Sequence, residues 1–398
     1  MWLSDFTLVL PDRVVPNGSI RMEGANIAEI TDHPVDGGLR GQRHTVFPGF
    51  IDMHGDMIEQ EIEPRVNVDF PMQVALHALD ARLAASGVTT AYAAVSFSRG
   101  AREGERRSFD HTSAVIRSLQ SMRGAARVDH RIHARFDITF DNAVTVLAQL
   151  LDDGQVDLVS LMDHTPGQGQ YRNIETHIRN KAAQHGISET EARQIVATNV
   201  ALRSRPQEVL LNNMQTVARL CRDHGVALAS HDDDTEAKAQ LMADLGAVIA
   251  EFPVTPEAAE AAIDRGMMVA MGAPNAMRGQ SYSGNLSARE AHAAGHLSIL
   301  AADYHPAAIL PAIRALAGQD PDGLAGATRL ASAHPARALG LSDRGEITIG
   351  RKADLVVVNA SDRVVMTLRE GEVIYSDGSM SLPEASATTA VRELSHID

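Results

Sequence analysis

Eight apolar runs separated by helix-patterned stretches limit what this chain can fold into more than any other feature. They are Val46 to Met53, Val88 to Ser96, Arg131 to Ile138, Val156 to Met162, Val226 to Ser230, Ala247 to Phe252, Met268 to Gly272 and Leu297 to Ala302. Strands covered by helices on both sides need near-continuous apolar runs of this kind, whereas a half-exposed strand alternates. Strand and helix in alternation imply parallel βα units, and eight units favour a closed (β/α)8 TIM-type barrel over an open sheet. The expected class is α/β.

Outside that block the pattern shortens to period two. Phe6 to Leu10 and Ser19 to Met22 near the start, and Gly345 to Val358 with Val373 to Tyr375 near the end, read as short strands between Gly, Pro and Asn. Strand-rich ends around an α/β middle predict one small β-sandwich from residues 1–45 and 344–384, with the barrel at 46–343. One barrel connection, about 165–225, is too long to be structureless in a compact domain. Glu189 to Ala201 and Pro206 to His224 within it carry helical patterns, so a helical insertion beside the site is expected. The Ser-, Ala- and Thr-rich tail, 385–398, is expected to be flexible.

The formal net charge of -15 argues against a nucleic-acid partner, which normally leaves a basic footprint. It says little about a pocket, where a few arginines reverse the local sign. Cys221 is the single cysteine, which excludes an internal disulfide and a thiolate-rich metal site; its apparent helix, Met214 to His224, makes it buried filler. The first residues lack a signal-peptide pattern and no run reaches membrane-spanning length, so the expectation is a cytoplasmic protein with no membrane partner. A homo-oligomer stays open. No Gly-rich loop ending in Lys-Ser/Thr is present to bind a nucleotide in the P-loop manner.

Chemistry gathers at the C-terminal ends of the runs, where a parallel barrel assembles its site. The first ends at His54 and Asp56, whose spacing in a continued strand aims imidazole and carboxylate into one space. The third supplies Asp137, the fourth Asp163 and His164, the fifth His231 with Asp232 to Asp234, the sixth Glu251 and the eighth Asp303. We expect His54, Asp56, Asp137, His164 and His231 as metal ligands, with Asp303 ligating or accepting a proton. Imidazole and carboxylate without thiolate suit zinc first, with manganese or iron compatible, as one or two ions. Asp141 competes with Asp137, and Glu251 is expected to support the ligands or the fold. Three acids at 232–234 cannot all be ligands, so capping or hydrogen bonding to a ligand falls to at least two of them. His33, His44, His77, His111, His185 and His292 lie off the strand ends and read as structural or solvated.

Pro48 to Asp56, Ser332 to Gly340 and Ile349 to Leu355 resemble the amidohydrolase superfamily. More specifically, Ser160 to Gln168, Ala229 to Asp233, Gly272 to Gly279 with Ser283 to Asn285, and Ile299 to Tyr304 resemble its PhnM-type diphosphatases. The resemblance covers most of the chain. It implies a metal-dependent barrel joined to a β-sandwich from both chain ends. It also implies hydrolysis of a sugar 5-triphosphate, that of alpha-D-ribose 1-methylphosphonate, with release of pyrophosphate in phosphonate catabolism. The partner is then a small anionic sugar phosphate. Attack falls on the α-phosphorus, Asp303 is the catalytic proton acceptor, and Arg65, Arg278, Ser281, Ser283 and Asn285 are candidate phosphate contacts. Arg172 and Lys181 in the insertion are further candidates.

Two departures stand out. Asp137 replaces the Glu usual in the family, one methylene shorter, and Glu59-Gln-Glu-Ile-Glu63 places three carboxylates where a triphosphate would be repelled unless a metal or Arg65 neutralises them. The alternatives are a C–N hydrolase, such as a deacetylase or cyclic-amide hydrolase, a relative with an altered substrate, or a non-catalytic metal-binding component of a phosphonate-degrading assembly.

Overall fold

A computed structural model describes residues 1–65, 68–97, 107–140, 142–281 and 284–380. The expected tail, 385–398, and the last residues of the 344–384 segment lie outside them, as do Asp141 and Ser283. The chain begins with strands β1 (Trp2–Val9), β2 (Val14–Glu23), β3 (Asn26–Thr31), β4 (Leu39–Arg40) and β5 (Thr45–Pro48). Eight barrel strands follow: β6 (Phe50–Gly55), β7 (Val88–Phe97), β8 (Asp129–Asp137), β9 (Leu158–Met162), β10 (Ala227–His231), β11 (Ile249–Glu251), β12 (Met268–Gly272) and β13 (Ile299–Ala301). The chain then returns as β14 (Leu355–Val358), β15 (Val364–Arg369) and β16 (Glu372–Ser376).

The two ends form one sheet in the order β16-β15-β14-β5-β1-β2-β3, with β4 against β1. The seam between them is the antiparallel pair β5 and β14, where Val46 faces Val357 and Phe47 faces Val356. Val46, Leu355 and Val357 join Leu3, Phe6 and Ile20 in the core of this sheet, while Phe47, Val356 and Val358 turn the other way onto the barrel's core. Burial on both faces makes Thr45–Pro48 as apolar as a barrel strand, which is why Val46 to Met53 reads as one run. It is two strands, separated at Gly49. The Gly49 N–H donates to the Asp354 carbonyl at 2.7 Å, and any side chain there would meet that of Thr89.

All neighbours from β6 to β13 are parallel. The ring closes where Asp303 N–H donates to the His54 carbonyl (2.9 Å) and Asp56 N–H to the Asp303 carbonyl (2.7 Å). Below that, Asp52 Oδ1 accepts from the backbone N–H groups of His54 (3.1 Å) and Ala302 (2.8 Å). Ile51, Tyr92, Leu158, Ala229, Ile249, Ala270 and Ile299 fill the interior, and alternate residues such as Ile132, Val159, Leu228, Val269 and Leu300 pack outward against helices.

Between β9 and β10 lie the helices Ile174–His185, Glu189–Arg203 and Gln207–His224. Asn173 and Ser188 cap the first two by accepting from Thr176 N–H and Glu191 N–H. Those two share a small core of their own, Ile178, Ala182, Ala192 and Val196. The third docks on the barrel through Met214, Val217, Ala218 and Cys221. Burial pushes the Cys221 thiol up to about 12, so it is inert packing. Among the described residues, no helix is long and apolar enough to cross a membrane.

Candidate active site

Polar side chains replace the apolar filling at the C-terminal end of the ring. On β8, His133, Arg135 and Asp137 occupy alternate positions and therefore one face. On β6 the register against β7 slips between Asp52 and Gly55, and this bulge brings His54 in as well. Two trios result. In the first, His54 Nδ1 is 3.3 Å and His133 Nε2 3.4 Å from the carboxylate of Glu251, all three fully buried. In the second, His164 Nε2 and His231 Nδ1 lie 3.4 Å and 3.2 Å from the same oxygen of Asp232. The His54 and His231 rings are 5.6 Å apart, so the trios adjoin.

Few of these atoms make hydrogen bonds. His54 Nδ1, His231 Nδ1, Asp232 Oδ2 and both oxygens of Glu251 are buried without one. Buried polar groups are nearly always satisfied, and unpaired buried charge is costly. Each trio offers one donor atom per residue within 4.8 Å of the others, which fits a divalent metal ion.

Electrostatics favour the ligating protonation states. Burial, reinforced by the positive charge of Arg135, lowers His54 to about 3, and burial lowers His133 to about 3 and also depresses His231. Neutral imidazole is the form that binds a cation. Burial works to raise Asp56, but the Arg135 guanidinium, 2.7 Å away, holds its carboxyl below the usual range. Arg135 also lies 3.3 Å from His231 Nε2, a fixed positive charge beside the second trio. Burial and then the charge of Asp56 push Asp303 up to about 7. Backbone strain collects here too: Asp232, Phe252 and Asp303, each just past a barrel strand, have φ of 54°, 52° and 57°.

A cavity of about 500 Å³ lies over the trios, within the usual range for a small-molecule site. His54, Asp56, Arg135, His231, Asp232 and Asp303 line it, with Arg278, Ser281 and Asn285 also on its wall. Of the residues expected from the sequence, His54, His164 and His231 thus enter the trios, while Asp56 and Asp303 face the cavity. Asp137 does not line it. Its Oδ1 accepts from Thr139 N–H (3.0 Å) and Thr139 Oγ1–H (2.6 Å), and its Oδ2 accepts from Arg203 of the insertion. Arg65 is exposed and lines no described cavity.

No protein-family model matches the chain. Over 368 residues it is 36% identical to alpha-D-ribose 1-methylphosphonate 5-triphosphate diphosphatase of Escherichia coli (strain K12), covering 91% of this chain and 96% of that protein. The chain belongs to that diphosphatase family. Solved structures share its architecture. A 5-methylcytosine deaminase from Klebsiella pneumoniae has TM-score 0.63 and 17% identity, over 94% of this chain and 98% of that one. A variant of N-acetyl-D-glucosamine-6-phosphate deacetylase from Mycobacterium smegmatis has TM-score 0.62 and 16% identity, over 94% and 99%. At these identities the likeness is one of fold alone.

The acidic stretch after Asp56, which would repel a triphosphate, has partners of its own. Ile58–Ile62 is a short helix whose Glu59 is held by Arg107 (2.8 Å) and whose Glu61 is held by Arg82 (2.9 Å). Glu59, Glu61 and Glu63 do not line the cavity. His133 and Arg135 lie short of the strand end and carry no strand-end signal; the period of two counted back from Asp137 reaches both.

Proposed function

We propose that this chain hydrolyses alpha-D-ribose 1-methylphosphonate 5-triphosphate to the 5-phosphate and pyrophosphate. Similarity to the Escherichia coli diphosphatase, 36% identity over 91% of this chain, carries the reading, because a metal-fitting cavity alone suits many electrophiles. A charged triphosphate does not cross a bilayer unaided, so the reading brings a cytoplasmic location with it.

His54, His133 and Glu251, with His164, His231 and Asp232, would hold the cation, zinc first and manganese or iron as alternatives. Bound there, a divalent ion supplies Lewis acidity and makes water a nucleophile near neutral pH. Asp303 accepts the proton of the attacking water as its oxygen bonds to the α-phosphorus. The α–β bridging P–O bond breaks, and pyrophosphate leaves with the electron pair. Arg135 and Arg278 set positive charge against the phosphate oxygens, Arg278 with a fork suited to bidentate contact. Ser281 and Asn285 donate to the same oxygens, and Asp56, tied to Arg135, fixes the guanidinium in place.

The test is pyrophosphate release from the triphosphate by protein stripped of metal and reloaded with zinc, manganese or iron. Release that depends on metal is expected. Asp303→Asn should lower kcat by about 10²- to 10⁴-fold at unchanged thermal stability. Silence from protein shown to hold metal would end the reading and direct the search to C–N bonds.

A further inference from the structure

A second hollow, about 350 Å³, lies against the insertion and shares Gln170 and Asn285 with the cavity over the trios. Arg172 and Lys181 bring its charge, burial and then the charge of Lys181 lower His177 toward its neutral form, and Asn173, Asn180 and Gln184 are among its amides. No carboxylate is among its described lining residues, in a chain with 51 acidic residues and a net charge of -15. The one acid in the first turn of the helix Ile174–His185 is Glu175, and both its oxygens are bound by Arg193 at 2.7 Å. Arg172 and Lys181 make no ion pair among the described residues, whereas Arg107, Arg135 and Arg203 each hold a carboxylate. Tyr171 links the two spaces: its ring is 6.1 Å from that of His164 and 4.2 Å from that of His177.

We propose that this groove is an anion subsite for a diphosphate group, holding the β- and γ-phosphates that leave as pyrophosphate. The assignment rests on the diphosphatase reading for the source of that group, but the groove's chemistry stands apart from it. Amides and unpaired cations without a carboxylate suit a multiply charged anion. A phosphonate ester carries a single charge, so the more cationic space falls to the diphosphate end. An open groove also gives the product a way out that does not cross the trios.

The experiment is calorimetric titration of inorganic pyrophosphate into the full-length, metal-loaded protein and into its Arg172→Gln/Lys181→Gln variant, alongside triphosphate turnover by both. Both side chains sit at the surface of the insertion, and thermal unfolding with metal analysis checks that the variant keeps its fold and ion. The double variant should bind pyrophosphate about tenfold or more weakly, and its loss in turnover should fall on KM more than on kcat. Equal pyrophosphate affinity in a folded, metal-loaded variant overturns the subsite. If wild-type protein binds pyrophosphate through Arg172 and Lys181 yet leaves the triphosphate intact, the subsite stands and the diphosphatase reading falls.

Discussion

Glu251 and Asp137 are both fully buried, but their oxygens differ: those of Glu251 make no hydrogen bond, and those of Asp137 are taken by Thr139 and Arg203. A cation in the barrel relieves the first and would have to break up the second. Glu251→Gln should therefore weaken zinc binding by tenfold or more, of the order seen when groups around a metal are altered, while Asp137→Asn should leave metal content unchanged. Metal analysis after dialysis and a zinc titration would show it, and equal loss from both variants would return Asp137 to the ligand set. At this scale the sequence was only partly readable. His54, His164 and His231 announce themselves at strand ends. His133 and Arg135 sit two and one alternations deeper, and Asp232 is hard to tell from its two acidic neighbours until the backbone at φ 54° turns it toward His164 and His231.

The strands themselves were legible because burial on both faces leaves an apolar signature, and the barrel's eight runs match its eight strands. The same signature hid the boundary between β5 and β6, since both are buried on both sides. Only close approach marks it: Gly49 sits against Thr89 of β7, with its N–H on Asp354. Gly49→Ala should destabilise the fold by about 1–3 kcal/mol through overpacking at this join. Denaturant unfolding reads this directly, and an unchanged midpoint would mean that Thr89 yields freely. The bulge in β6 was equally silent, because a register slip depends on the partner strand and leaves no trace in one strand's own residues.

Across the whole molecule, the terminal sheet and the barrel meet around Asp354. Its Oδ1 accepts from Glu370 N–H at 2.7 Å, its Oδ2 has no partner, and burial pushes its carboxyl up to about 6 from an ordinary 3.8. The folded state thus binds this proton more tightly than the unfolded one, and its contribution to stability is fully present below about 4 and lost as pH rises to about 6. Asp354→Asn keeps the acceptor and removes the ionisation. Stability of the variant minus that of the wild type should grow across that window by roughly 1.4 kcal/mol per pH unit and then level off. Thermal unfolding of both proteins from acid to neutral pH measures it, and a flat difference would mean that Asp354 ionises freely.

Three of the residues that close the ring also face the cavity: Asp303 bonds through its backbone to His54 and Asp56, and below them Asp52 reaches Ala302 across 250 residues of sequence. A growing chain on the ribosome therefore stays inert until its last barrel strand has emerged, however much of the rest has folded. Turnover then reports completion of the ring, and a truncated or nicked copy that cannot complete it declares itself by silence before it unfolds.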